Sequence, residues 1–299
     1  IQAMADSAQK TSRNPGSFEQ LHQKAQDIFP LAFEGAKIAI QKGISSHFQV
    51  SHTLSISPAN TGYKFGATYV GTQTGEGPQE VFPVILGDTD VSGNTTATIV
   101  HQIGKYRGKL QAQVAKGEIQ GAQGSVERRG DLCTLAMTLA NTNILNDSGV
   151  FVTSYLRKIT ERLDIGLEYM NSYGPQVPGG SFSLVSYGGR YATSVFTGAV
   201  TMSRIATHLS YFHKQTPNLA FGIEFNMNHM QQDAITTFAY QTEIPEEGVT
   251  FRASVDTNWT VAGVLEKRLS QTLPFTLALS GLVNHQKSAG KFGIGLMIG

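Results

Sequence analysis

Apolar and polar residues alternate one by one along most of this chain. Leu219, Phe221, Ile223, Phe225 and Met227 are interleaved with Ala220, Gly222, Glu224, Asn226 and Asn228. Successive side chains of an extended strand point to opposite faces, so the pattern describes a strand with one apolar and one polar side. Phe48 to Ile56, Leu163 to Tyr169, Val249 to Asp256 and Phe275 to Ser280 repeat it. Turn-forming clusters separate the runs at Pro58–Gly62, Gly75–Pro78, Asn143–Ser148, Gly174–Gly180, Gln215–Asn218, Pro245–Gly248 and Ser288–Gly290. The strands are expected to be joined as antiparallel hairpins.

Run length separates a soluble sandwich from a membrane barrel. A strand tilted across a bilayer needs about 9 to 11 residues, against about 5 to 6 in soluble sheets. The spacing predicts about nineteen strands over residues 34–299, beginning near 34–43, 46–57, 62–72, 80–91 and 93–104 and ending near 259–270, 274–286 and 290–298. An odd count makes the first and last strands of a closed barrel parallel, and departs from the even-numbered bacterial single-chain barrels. Residues 81–90 and 119–129 read equally well on either face.

Residues 1–33 differ. Residues 1–14 are small and polar, without apolar period, and read as loosely held. Asn14-Pro15-Gly16 predicts a turn, and Ser17 with Gln20 a capping box that starts a helix. Phe18, Leu21, Ala25, Ile28 and Phe29 form one apolar stripe, ended by Pro30. The inside of the barrel wall is the surface expected to receive it.

Charge and composition then narrow the class. Only 15% of residues are charged and 32 of 299 are glycine, against roughly 25% and about 7% in soluble domains. Such scarcity fits an outer wall that does not meet water. No apolar run approaches the roughly 18 to 20 residues of a spanning helix. A net charge of +1 gives no electrostatic reason for nucleic-acid binding. The single cysteine, Cys133, cannot form an internal disulfide, and no charged segment followed by an apolar one opens the chain in the manner of a secretory signal.

Reactive chemistry is sparse. His47 and His52, like His208 and His213, are five apart and face opposite sides of a strand, so no metal site is expected. Asp164 and Glu168 share a face at about 13 Å, too far for a two-carboxylate site, whereas Asp88 and Asp90 stand about 7 Å apart. A soluble β-rich enzyme or binding module therefore stays open as an alternative. The charges instead keep the parity of the polar face, as a barrel requires, since a cation at the lipid midplane costs about 2 to 4 kcal/mol. Asp88, Asp90, Asp164, Glu168, Glu224, Asp256 and Glu266 are the candidate luminal acids, which either solvate a water-filled pore or attract a passing basic segment weakly and repeatedly.

Several stretches carry a resemblance: Asn14–Glu19, Ser46–His52, Tyr69–Thr72, Val81–Val84 with Gly87-Asp88, Tyr211–Lys214, Ser254–Trp259, Leu265–Leu269, and Leu277–Leu279 with Asn284-His285. The last run, Lys291 to Ile298, fits polar-x-Gly-x-x-hydrophobic-x-hydrophobic through Lys291, Gly293, Leu296 and Ile298. Across residues 14–299 the chain resembles the channel-forming subunits of the translocase of the mitochondrial outer membrane, in the mitochondrial porin superfamily. That resemblance implies a nineteen-stranded transmembrane β-barrel with a helix inside, passing unfolded precursor proteins with basic targeting segments. It implies no cofactor, marks the final run as a barrel-assembly signal, and makes partners of a single-span receptor, small helical subunits and further copies of the pore. The long polar N-terminal extension common in the family is short or missing. Lys267 falls on the outward parity of Val261 and Leu265, where it meets a phospholipid headgroup or an acidic partner helix. A voltage-dependent anion-type metabolite channel of the same fold is the competing function.

Overall fold

The computed structural model describes residues 14–58, 61–74, 81–143, 148–175, 177, 179–270 and 274–299. The expected loose segment 1–13, the turn Gly75–Pro78 and residues 144–147 of the turn after Asn143 lie outside them.

Nineteen strands form one closed sheet. The first nine are β1 (Gly35–Gly43), β2 (Phe48–Ile56), β3 (Gly62–Thr74), β4 (Val81–Asp90), β5 (Thr95–Ile103), β6 (Tyr106–Ala115), β7 (Glu118–Arg129), β8 (Cys133–Asn143) and β9 (Ser148–Lys158). They continue as β10 (Leu163–Tyr173), β11 (Ser181–Ala192), β12 (Phe196–Ser203), β13 (Ala206–Thr216), β14 (Leu219–Asn228) and β15 (Asp233–Ile244). β16 (Val249–Asp256), β17 (Thr260–Arg268), β18 (Phe275–Asn284) and β19 (Ala289–Ile298) complete the circuit. Each strand pairs antiparallel with the next, and β1 pairs parallel with β19 from Gly35↔Gly293 to Ile40↔Ile298. Closure leaves no sheet edge, so the backbone polar groups at membrane depth are satisfied within the sheet.

The alternation sorts the wall. Ile165, Leu167, Ile223, Val261 and Leu279 stand 38–48% exposed on the outside, whereas Ser154, Glu168, Ser186 and Glu224 line the lumen through the registers Glu168↔Ser154, Glu168↔Ser186 and Glu224↔Thr237. An exposed belt of aliphatic side chains is stable only against lipid.

Both ambiguous segments have physical causes. In β7 the register shifts between Gln113 and Val114, so Ile119 opposes Val114 on the outside while Gly121 opposes Gln113 on the inside. Such a bulge flips the facing of an otherwise strict alternation. In β4 the inner positions themselves are apolar: Val84 and Leu86 share the face of Asp88, and Phe82 is buried beneath the Arg107 guanidinium, 5.3 Å from its ring centre. Asp88 and Asp90 both face the lumen, Asp88 opposite Gly66 and Asp90 opposite Lys64.

The N-terminal helix is shorter than the stripe suggests. A 3₁₀ turn, Phe18–Gln20, is followed by a single α-helical turn, α1 (Gln23–Gln26). The Ser17 N–H donates to Gln20 Oε1 at 3.1 Å, as a capping box requires. The helix interrupts itself at Leu21 and His22, whose side chains are both fastened to the wall.

Candidate functional site

The lumen narrows where the N-terminal segment lies against β7–β14. Asn14 Nδ2 donates to the Gly130 carbonyl at 2.6 Å, and Asn14 Oδ1 accepts from Gly16 N–H and Thr134 Oγ1 at 2.8 and 3.1 Å. Gly16 holds φ +83°, a left-handed turn open to glycine, and aims the next residues down the wall. Phe18, Leu21, Ala25 and Ile28 are then 1–6% exposed. Their landing places are wall residues without bulk. A Cβ at Gly188 would stand 2.6–2.8 Å from Phe18 and Leu21, and one at Gly222 would stand 3.3 Å from the Ala25 carbonyl and 3.6 Å from Ile28. Phe18 and Leu21 make one buried apolar cluster with Leu156 and Ala199 of the wall. Burial of each large apolar side chain contributes about 1.5–3 kcal/mol, so the segment is part of the wall.

Two charged constellations fasten it. Asp164, 3% exposed, pairs with Arg190, whose Nη2 lies 2.6 Å from Asp164 Oδ2 and also donates to the Pro15 carbonyl at 2.5 Å. Glu224 lies 3.2 Å from His208 Nε2. The His208 ring stacks on His22 at 3.8 Å, and His22 bonds Ser210 Oγ through Nδ1 (2.7 Å) and Thr201 Oγ1 through Nε2 (2.8 Å).

The seven luminal acids therefore separate by what they touch. Asp164 is withdrawn from the lumen by burial and by its pairing with Arg190. Glu224 is engaged through His208. Asp90 caps the hairpin after β4, accepting from Ser92 N–H, Asn94 N–H and Asn94 Nδ2 at 2.8–2.9 Å, and Asp256 does the same for Thr260 N–H at 2.8 Å. Glu266 stands 3.7 Å from Arg252. Asp88 and Glu168 have no hydrogen-bond or ion-pair partner among the described residues. Glu168 borders a cavity of about 190 Å³ with Glu19, Arg107, Lys109, Glu127 and Arg129, where the helix start meets the open lumen.

At the closing seam, Lys291 Nζ lies 3.2 Å from Glu34 Oε2. Phe33 occupies the space that a Cβ at Gly293 or Gly295 would fill, and its N–H donates to Ser280 Oγ at 2.9 Å. Leu296 and Ile298 lie on the outward parity opposite Ile38 and Ile40. Lys267 is exposed on the outer face opposite Val249. His22, Arg190, Gly188 and Phe33 were not among the sequence-derived site residues. Adjacent Gly188 and Gly189 within a strand were the available signal, since glycine inside a strand marks close approach of another segment.

Comparison with known proteins agrees with this architecture. The family model for eukaryotic porins matches residues 14–293. The chain is 61% identical over 286 residues to the mitochondrial import receptor subunit TOM40 homolog of Caenorhabditis elegans, covering 96% of this chain and 95% of that protein. It is 44% identical over 302 residues to TOM40 homolog 2 of Drosophila melanogaster (100% and 88%), and 39% identical over 288 residues to the TOM40 homolog of Homo sapiens (96% and 78%). A closed barrel of nineteen strands with parallel ends, an internal N-terminal helix and identity of this extent place the chain in the eukaryotic porin family, within its TOM40 branch.

Proposed function

We propose that this barrel is a protein-conducting import channel of the mitochondrial outer membrane, and that precursors pass along the arc of inner wall the helix leaves bare. Identity to import receptor subunits over nearly the whole chain favours import over the anion-type metabolite channel and over an enzyme. Nineteen strands about 4.8 Å apart, tilted about 40°, enclose a backbone cylinder roughly 36–40 Å wide. Side chains and a helix about 10–12 Å across leave room for an extended chain or one further helix. The unpartnered carboxylates of Asp88 and Glu168 carry the finer reading: they are free to meet the Lys and Arg side chains of a targeting segment, weakly enough to release them. Membership of the translocase also brings a single-span receptor, small helical subunits and a second pore as partners.

Planar-bilayer recording of the reconstituted chain tests this. A basic presequence peptide should block a cation-preferring pore at low salt, and Asp88→Lys with Glu168→Lys should weaken the block several-fold. Indifference to the peptide, or strong anion preference, defeats the proposal.

A further inference from the structure

One junction in the circuit of strands is not held by the chain itself. Every other pair of neighbours is consecutive in sequence, whereas β1 and β19 meet only through pairing, parallel from Gly35↔Gly293 to Ile40↔Ile298. Parallel pairing is slightly less stable per residue than antiparallel pairing. The residues that lead into β1 lie across this junction on its luminal side. Gly35 holds φ +87°, a left-handed turn open to glycine, and a side chain there would run into the Ile56 carbonyl. The turn lays Phe33 over β19. A Cβ at Gly293 would stand 2.7–2.8 Å from the Phe33 ring, and one at Gly295 would stand 3.1 Å from it. The Phe33 N–H donates at 2.9 Å to Oγ of Ser280, a buried β18 residue opposite Gly293. Glu34 extends the contact to Lys291, two residues before Gly293, at 3.2 Å. A three-residue segment thus touches β18 and β19 before it enters β1.

We infer that Phe33–Gly35 is a luminal latch that stands in for the missing hairpin, and that the inner face of the C-terminal run is its receptor in the finished barrel. Lipid covers the outer face of the seam, but its inner face meets a wet lumen. Glycines at 293 and 295 leave the backbone there bare, so water can compete for the ladder that holds β1 to β19. An aromatic ring seated on both glycines excludes that water and adds apolar burial. The hydrogen bond to Ser280 carries the tie one strand further, so that prising β1 from β19 also means lifting Phe33 off β18. Lys291 and Gly293 are two of the four positions of the barrel-assembly pattern. A protein that grips their inner face during assembly and the Phe33–Glu34 segment are therefore mutually exclusive occupants, and the latch is the one that stays. The inference is independent of what the lumen carries.

Amide hydrogen exchange of the full chain, refolded into lipid nanodiscs without any assembly partner, tests this. F33A should speed exchange several-fold in residues 35–40 and 293–298 and leave the β8–β9 hairpin at its wild-type rate. G295L, which keeps all four positions of the assembly pattern, should do the same by pushing the ring away. F33A/G295L should recover most of the protection, the leucine filling the space the ring vacates. E34K should give a smaller increase at the seam, which E34K/K291E reverses. Unchanged exchange at the seam in F33A overturns the inference, and so does an equal rise in every strand, which would make Phe33 a general stabiliser. If F33A lowers the folded yield, the cross-link A39C/M297C, made in a C133S background between paired residues of β1 and β19, should restore it; failure to do so would show that Phe33 serves something other than the seam.

Discussion

The covered and bare arcs of the inner wall obey one parity rule and present different surfaces. Where the helix packs between β9 and β14, the inward residues it covers include the small Gly188, Ala199, Thr201, Ser210 and Gly222, with Asp164 bound to Arg190 and Glu224 to His208. Glu168 on β10, by contrast, stands at the edge of that cover without a partner among the described residues, beside the cavity it shares with Glu19. Across β3 to β6 the inward positions include Lys64, Asp88, Lys109, Gln111 and Gln113, longer side chains that reach into water. Polar parity alone therefore locates the lumen but does not decide which acids meet a substrate. What lies over each acid decides that.

The comparison breaks most visibly at glycine. Gly188→Leu on the covered arc drives a side chain into Phe18 and Leu21, and should cost up to about 3–6 kcal/mol of helix docking, two large apolar anchors at about 1.5–3 each. Proteolysis within residues 14–30 should rise sharply. Gly66→Leu on the bare arc meets only the movable ends of Asp88 and Ser51 and should leave the cleavage pattern unchanged; equal sensitivity would erase the distinction between arcs.

Charge removal comes next. Arg190→Met leaves Asp164 buried without a counter-ion and unties Pro15, at a cost of about 3–5 kcal/mol. Adding Asp164→Leu should restore much of the denaturant midpoint. Lys64→Met, on the solvated arc, should change the unfolding free energy by no more than about 0.5 kcal/mol.

Smaller still is the electrostatic effect on transport. Asp88→Asn with Glu168→Gln should reduce peptide block a few-fold at low salt and not at 1 M salt, where the screening length is about 3 Å. Persistence of the difference at high salt would assign it to altered shape.

The least effect is expected from acid. Burial, and then the His208 charge, hold the His22 imidazole down at about 4, with Glu224 opposing. A released His22 takes up a proton below about 6.5 that the docked ring refuses until near pH 4. Docking is thus fully favoured above pH 6.5 and weakens as the pH falls toward 4. Protease access to residues 14–30 should grow over that window, and His22→Gln should flatten the dependence.

The fold was largely legible in the chain because a period of two is local: it survives in any nine-residue window such as Leu163–Asn171. The odd strand count followed from spacing, and the apolar stripe of Phe18, Leu21, Ala25 and Ile28 announced the helix. Facing failed where a bulge inserts one residue before Gly121, and where Phe82, Val84 and Leu86 make the inner wall apolar. The site was less legible because its partners are remote. Nothing near Asp164 in sequence names Arg190, 26 residues on, and nothing near Arg190 names Pro15, 175 residues back. The acids on the polar face were identifiable; their engagement was not.

The odd count has a further outcome for the chain's two ends. β1 leaves the rim at Gly35 and β19 finishes at the other rim, so the strands by themselves would deliver the chain's start and finish to opposite faces of the membrane. Asn14 undoes this: it is bonded to Gly130 in the turn between β7 and β8, on the rim where β19 ends. The luminal segment is in effect one more traverse, and it restores evenness to a path that the sheet leaves odd. Asn14 and Gly299 thus open toward the same compartment, and a pair of reporters fused at those two points should answer to the same added protease, on the same side of the bilayer.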